Sequence, residues 1–154
     1  MAELTYKPRG RYFEEFSVGE TLVTAGRTIT ETDVVNFAGL SGDYNQIHTD
    51  AAYAADWMFG QRIAHGLLVL AIATGQAVQS GIIEGTVLAF RELSWKFSKP
   101  VFLGDTIDVL LEIIETKAMT RLGGGSVKMK VSVRNQNQEV VHRGEWIMLV
   151  KSKH

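Results

Sequence analysis

The residues of this chain best suited to chemistry are an aspartate and a histidine five positions apart, Asp43 and His48. They sit in the stretch Ser41-Gly42-Asp43-Tyr44-Asn45-Gln46-Ile47-His48-Thr49-Asp50, which has glycine ahead of it and no strong periodicity. Residues 41–49 are therefore expected to form a loop. A carboxylate and an imidazole that share one water can take a proton from it as its oxygen attacks carbon, and can deliver a proton to the neighbouring carbon. Each positioned acid or base contributes about 10²–10⁴-fold to such a step. Seventeen residues after His48, His65-Gly66 opens a long apolar, alanine-rich run. The first N–H groups of a helix lack partners, and the helix dipole favours an anion beside them. The Gly66 N–H suits a carbonyl oxygen on which negative charge develops, and the missing Cβ lets such a group come close.

These features need a scaffold, and the bulk composition bounds it. At 154 residues the chain is expected to be one domain with a real core. Its 45% apolar and 21% charged residues are ordinary for a globular protein. A net charge of −1 provides neither a basic field for nucleic acid nor a polybasic patch for a membrane. With no cysteine, disulfides, thiolate metal sites and cysteine nucleophiles are excluded. No run reaches transmembrane length and Met1 to Gly10 lacks the apolar core of a signal peptide, so a cytoplasmic location is expected.

Residues 1–11 are polar and irregular, an N-terminal arm ahead of a domain over residues 12–154. Thr21 to Ile29 reads as a strand. Thr30 with acids after it starts a helix whose apolar face is Val34, Val35, Phe37 and Ala38, ending between Gly39 and Gly42. Asp50 caps a short helix running to Asp56. Gly66 to Ser80 has almost no polar face, which predicts a helix buried all round, with Gly81 after its end. Strands follow at 87–97, 106–113, 127–134 and 140–150, with turns at Gly123-Gly124-Gly125 and Asn135 to Gln138. Consecutive strands joined by short turns make an antiparallel sheet, so the periodicity predicts an α+β fold around a single central helix.

The segment Phe37-Ala38-Gly39-Leu40-Ser41-Gly42-Asp43-Tyr44-Asn45-Gln46-Ile47-His48 resembles the signature of the MaoC-like, (R)-specific enoyl-CoA hydratases. In that family an aromatic residue precedes Ser/Thr-Gly-Asp-x-Asn-Pro-aliphatic-His. Ile63-Ala64-His65-Gly66 and Pro100-Val101-Phe102-Leu103-Gly104-Asp105 are similar to further family segments, and the likeness covers roughly residues 12 to 150. The departure is Gln46, where the family usually has proline, which removes a φ constraint.

The resemblance implies a hot-dog fold, a long antiparallel sheet wrapped around the buried central helix. It implies a homodimer with two sheets joined edge to edge, active sites near that interface, and room for higher homo-oligomers. It also implies reversible hydration of a trans-2-enoyl-CoA to the (R)-3-hydroxyacyl-CoA, with no cofactor and no metal, since coenzyme A is part of the substrate. Asp43 and His48 are then the catalytic residues, Asp43 as base and His48 delivering the α-proton, although an interacting pair titrates as a unit. Gly66 and Asn45 are assigned to substrate binding, Asn45 by orienting the pair or the loop through hydrogen bonds.

Rival readings are a dehydratase of a branched or dicarboxylic 3-hydroxyacyl-CoA or of an acyl carrier protein thioester, a hot-dog thioesterase, and a non-catalytic acyl-CoA-binding module. Taken singly, Asp-x-Asn after glycine is a turn and a lone loop histidine a surface residue. His65 reads as structural, and His142 and His154 as surface residues. Thr74 reads as a hydroxyl bonded back to its helix, and Gly75 as a close-packing glycine. Trp57, Met58 and Phe59 would wall an acyl chain or fill core. Arg62, Lys96, Lys99 and Arg134 have the charge for CoA phosphates or simply face solvent, and Asp43, His48 and Asp50 lack convincing metal spacing.

Overall fold

The computed structural model describes residues 4–154; the first three residues of the expected arm lie outside the described residues. Helix α1, Glu31–Ser41, starts with a reciprocal cap. Thr30 Oγ1 accepts from the Asp33 N–H at 3.2 Å, and the Asp33 carboxylate accepts the Thr30 N–H at 2.8 Å. It ends at Gly42, whose φ of 77° suits glycine. The expected loop 41–49 is partly helical instead. Asn45 Oδ1 accepts the Ile47 N–H at 3.3 Å and caps α2, Gln46–Thr49. A single turn of helix is too short to show a period. Asp50 caps α3, Ala51–Ala55, as expected, and α4 runs over Gly66–Gln79.

The strands are β1 (Thr21–Val23), β2 (Arg27–Thr28), β3 (Val87–Phe97), β4 (Thr106–Met119), β5 (Gly124–Arg134) and β6 (Val140–Lys151). They form one antiparallel sheet in the order β1-β4-β5-β6-β3, with β2 also on β4. Val69, Ala73 and Ala77 of α4 share a core with Val109, Leu111, Val131, Trp146 and Met148 of the sheet. A sheet wrapped on one central helix is the expected hot-dog arrangement. Register shifts in β3, β4 and at the start of β6 bend the strands across that helix.

Several local expectations change. Thr21 to Ile29 is not one strand, because side chains replace the ladder at its middle. Gln76 of α4 donates to the Ala25 and Ile107 carbonyls at 2.8 and 3.0 Å, and Thr24 Oγ1 accepts the Val109 N–H at 3.0 Å. Helix α4 is not enclosed on all sides: Leu67 and Val78 on its outer face are 61% and 41% exposed. Only Gly123 of the glycine triplet turns the chain, with φ 70°; Gly124 and Gly125 belong to β5. A Cβ on Gly124 would lie 1.9 Å from the Val150 carbonyl oxygen, so packing rather than turning requires that glycine. Gly75 is not a close-packing glycine, since a Cβ there would meet nothing within 4 Å.

Two alanine substitutions should diverge. A Cβ on Gly144 would lie 2.0 Å from the Ser94 carbonyl oxygen, and β3 backbone cannot yield to it. Gly144→Ala should cost roughly 2–3 kcal/mol or more. Gly75→Ala, in open space inside α4, should add about 0.5–1 kcal/mol. Urea midpoints check both, and a native midpoint for Gly144→Ala would contradict the packing.

Candidate active site

His48 is held by its own helix and by residues 63–65. It lies on α2, and its Nδ1 is 2.7 Å from the Ile63 carbonyl oxygen. A carbonyl only accepts, so Nδ1 carries the hydrogen and the lone pair of the neutral ring sits on Nε2. The ring stacks on His65 with centroids 3.9 Å apart. Burial pushes the His48 pKa below the usual histidine value of 6.5, and nearby His65 adds to this; the Ile63 bond and Asp43 pull it upward more weakly. At neutral pH the ring is uncharged and Nε2 is an acceptor.

Asp43 completes the pair. Its Oδ2 is 3.9 Å from His48 Nε2, and the Asp43 side chain is 51% exposed. Oδ1 accepts the Asn45 N–H at 3.2 Å, and Ser41 Oγ accepts the Asp43 N–H at 3.1 Å. Two acceptors at this spacing are too far apart to bond each other. They suit one water donating to both, at about 2.8 Å from each. His65 is structural, as expected, with 2% exposure; its Nε2 donates to the Asp43 carbonyl at 2.9 Å. Its side chain does not cap α4, although it occupies the capping position.

Asp43, His48, His65 and Gly66 line one cavity of about 640 Å³, and Phe97, Lys99, Val101 and His142 line it too. The start of α4 thus opens onto the Asp43–His48 pair, as the spacing implied. A Cβ on Gly66 would lie 2.5 Å from the Phe97 ring, so the space left by the missing Cβ, expected to admit a ligand, is taken by Phe97. Asn45 does not line the cavity. Its side chain caps α2 and its N–H holds Asp43, so it orients the pair.

The remaining sequence candidates divide. Phe59 lines the cavity with Trp57 edge-on behind it at 5.3 Å, whereas Met58 is exposed outside. Thr74 Oγ1 donates to the Ala71 carbonyl at 2.7 Å, the back-bonded state expected of it. Arg62 is paired with Glu31, Arg134 with Asp108 at 2.8 Å, and Lys99 with Glu139 at 2.7 Å. Lys96 pairs with no carboxylate among the described residues, and of the four only Lys99 lines the cavity. Asp43, His48 and His65 each offer a donor atom within 4.8 Å of the others. The two imidazoles are stacked at 29°, so their lone pairs lie side by side rather than converging on one ion. Asp50 is spent on capping α3.

His142 was expected at the surface and is instead 3% exposed. It falls on the inner face of β6 with Trp146, Met148 and Val150, and burial pushes its pKa down to about 4. The signal was present in the sequence. Counting back in twos from Trp146 and Met148 puts residue 142 on the core side.

Gln46 is the first residue of α2, where an N–H has no partner within the helix. Proline fits that position as well, and Asn45 before it has φ −53° and ψ 135°, which proline tolerates in its predecessor. Gln46→Pro should therefore raise stability by roughly 0.4–1 kcal/mol. Thermal denaturation checks this; a destabilised variant would show that the Gln46 N–H has a partner.

Comparison with known proteins adds the lineage. The family model described as MaoC like domain matches residues 14–137. Protein MaoC of Klebsiella aerogenes is 41% identical over 104 residues, 68% of this chain and 31% of that protein. The 3-hydroxybutyryl-CoA dehydratase of Methylorubrum extorquens is 36% identical over 104 residues, 68% of this chain and 64% of that one. The matches thus span about a third and just under two thirds of those two relatives. Among solved structures, an Archaeoglobus monoamine oxidase regulatory protein superposes with a TM-score of 0.86 at 36% identity, covering 94% of this chain and 97% of its own. R-hydratase PhaJ1 from Pseudomonas aeruginosa superposes at 0.78 with 34% identity, covering 92% and 86%. With the motif, the hot-dog sheet and the family match in agreement, this chain belongs to the MaoC-like domain family.

Proposed function

We propose that this domain adds water reversibly across the double bond of a trans-2-enoyl-CoA to give the (R)-3-hydroxyacyl-CoA. The observation that carries the reading is the pair of acceptors, Asp43 Oδ2 and His48 Nε2, 3.9 Å apart in a cavity that also contains the start of α4. One water donates to both acceptors. Its oxygen bonds to Cβ, its proton passes to the pair, and the double-bond electrons move toward the thioester oxygen. The Gly66 N–H stabilises the charge that builds there. The pair then protonates Cα and returns to its starting state, so the product gains one water and nothing else. Resting His48 has no proton on Nε2, so the proton that the pair delivers to Cα is the one taken from the water. Asp43 is the base in this scheme. No cofactor takes part beyond the coenzyme A carried by the substrate.

Relatives named 3-hydroxybutyryl-CoA dehydratase and (R)-specific enoyl-CoA hydratase support the reaction class, being the two directions of one equilibrium. We further propose a cytoplasmic homodimer. No helix among the described residues is long and apolar enough to cross a membrane. Support for the dimer comes from β3, which ends the sheet with Leu88, Phe90, Leu93 and Phe97 exposed, and from the exposed Leu67 and Val78 of α4. A second copy paired along β3 would cover both.

Loss of the enoyl-thioester absorbance of crotonyl-CoA, with chiral analysis of the product, tests the reaction; (R)-3-hydroxybutyryl-CoA is the expected outcome. Release of free CoA would favour the thioesterase reading. Asp43→Asn should keep CoA binding and lose about 10²–10⁴-fold in kcat/KM; near-native turnover would remove Asp43 from the mechanism. The pH profile has a defined sign. A histidine whose pKa is lowered stays neutral to below pH 6.5, so Nε2 remains an acceptor there. The acid limb of kcat/KM should have its midpoint below 6.5, and a midpoint above it would contradict the neutral His48.

A further inference from the structure

His142 is a polar residue at an apolar position. Across the sheet it faces Val133 on one side and Phe97 on the other, and its own strand continues inward with Trp146, Met148 and Val150. Phe97 and Trp95 meet its ring edge-on, at 5.1 and 6.2 Å. Its Nδ1 is fully buried and has no hydrogen-bond partner among the described residues. A valine here would cost no unpaired polar atom, and a buried unpaired nitrogen is destabilising. The ring lines the cavity that holds Asp43 and His48.

Burial orders that cavity. Ser41, Asp43, Ser98 and Lys99 of its lining are exposed, while Ala64, Val101 and His142 are buried. A thioester that enters past the exposed residues would keep its CoA arm outward. With the Asp43–His48 pair acting at Cα and Cβ, the chain beyond Cβ would run toward the buried part of the lining. His142 is a polar group of that buried lining; its Nδ1 is fully buried, so a ligand oxygen would meet Nε2, and burial keeps the ring uncharged.

Resting on the acyl-thioester reading of this cavity, we propose that His142 is a specificity-determining residue that hydrogen-bonds a hydroxyl or carbonyl oxygen on the acyl chain beyond Cβ. The preferred substrates are then oxygenated enoyl thioesters rather than plain alkyl ones. A site built to bond an oxygen discriminates strongly against the analogue that lacks it, because the buried polar partner is left unpaired.

Binding of saturated acyl-CoAs, which cannot be hydrated, separates this assignment from the reaction. The probes are 4-hydroxybutyryl-CoA against its isostere pentanoyl-CoA, and 4-oxopentanoyl-CoA against 4-methylpentanoyl-CoA, titrated calorimetrically. The native protein should bind at least one oxygenated probe roughly tenfold tighter than its isostere. His142→Val should bring that ratio close to one, and His142→Gln, which keeps a donor and an acceptor, should restore part of it. Ratios at or below one in the native protein overturn the assignment, whether or not either variant folds. So does a ratio that His142→Val leaves unchanged. If crotonyl-CoA is hydrated while the ratios are flat, only the His142 assignment fails. If no probe binds at all, the thioester reading fails and takes this assignment with it.

Discussion

The site depends on one hydrogen bond, from His48 Nδ1 to the Ile63 carbonyl at 2.7 Å. It decides the tautomer, and with it which nitrogen faces Asp43. It also ties the motif to the segment that begins α4. The surrounding backbone repeats the connection: the Ile63 N–H reaches the Ile47 carbonyl at 3.1 Å, and the Ala64 N–H reaches the Val101 carbonyl at 2.7 Å. Three segments remote in sequence, α2, residues 63–64 and the turn after β3, are thereby locked at one point. The acid–base role proposed for Asp43 and His48 would need this kind of rigidity, since small displacements of reacting groups are costly.

Burial sets the electrostatics. His48 stacks on His65 inside the protein, where a positive charge on His48 would be poorly solvated. Desolvation lowers the His48 pKa more than the half-exposed Asp43 can raise it, because that carboxylate is still partly screened by water. The pair is therefore a neutral imidazole beside a carboxylate, two acceptors that hold a donor between them. The start of α4, at Gly66, lines the same space. The arrangement needs no charged group deeper than the rim.

Helix α4 also joins the two ends of the fold. Its buried face packs on the sheet, and Gln76 reaches through to the Ala25 and Ile107 carbonyls, breaking what would be one long strand. Its outer face stays apolar and open, and so does the edge strand β3. An isolated domain with this pattern leaves both a row of backbone groups and a strip of apolar surface uncovered.

Much of this was legible in the chain because it is local. The Thr30–Asp33 cap, the Asp50 cap, the apolar run after Gly66 and the alternation in β5 each follow from neighbours within a few residues, and the motif from Phe37 to His48 carries its own spacing. The sequence by itself determined the local spacing of Asp43 and His48, the central helix that follows and the antiparallel sheet. Tertiary structure decided what depends on groups distant in the chain. Asn45 left the ligand wall because a one-turn helix forms beside it. Thr21 to Ile29 split because Gln76, about fifty residues on, takes the middle carbonyl. His142 moved from surface to cavity wall because strand register, not residue polarity, selects the face a side chain takes.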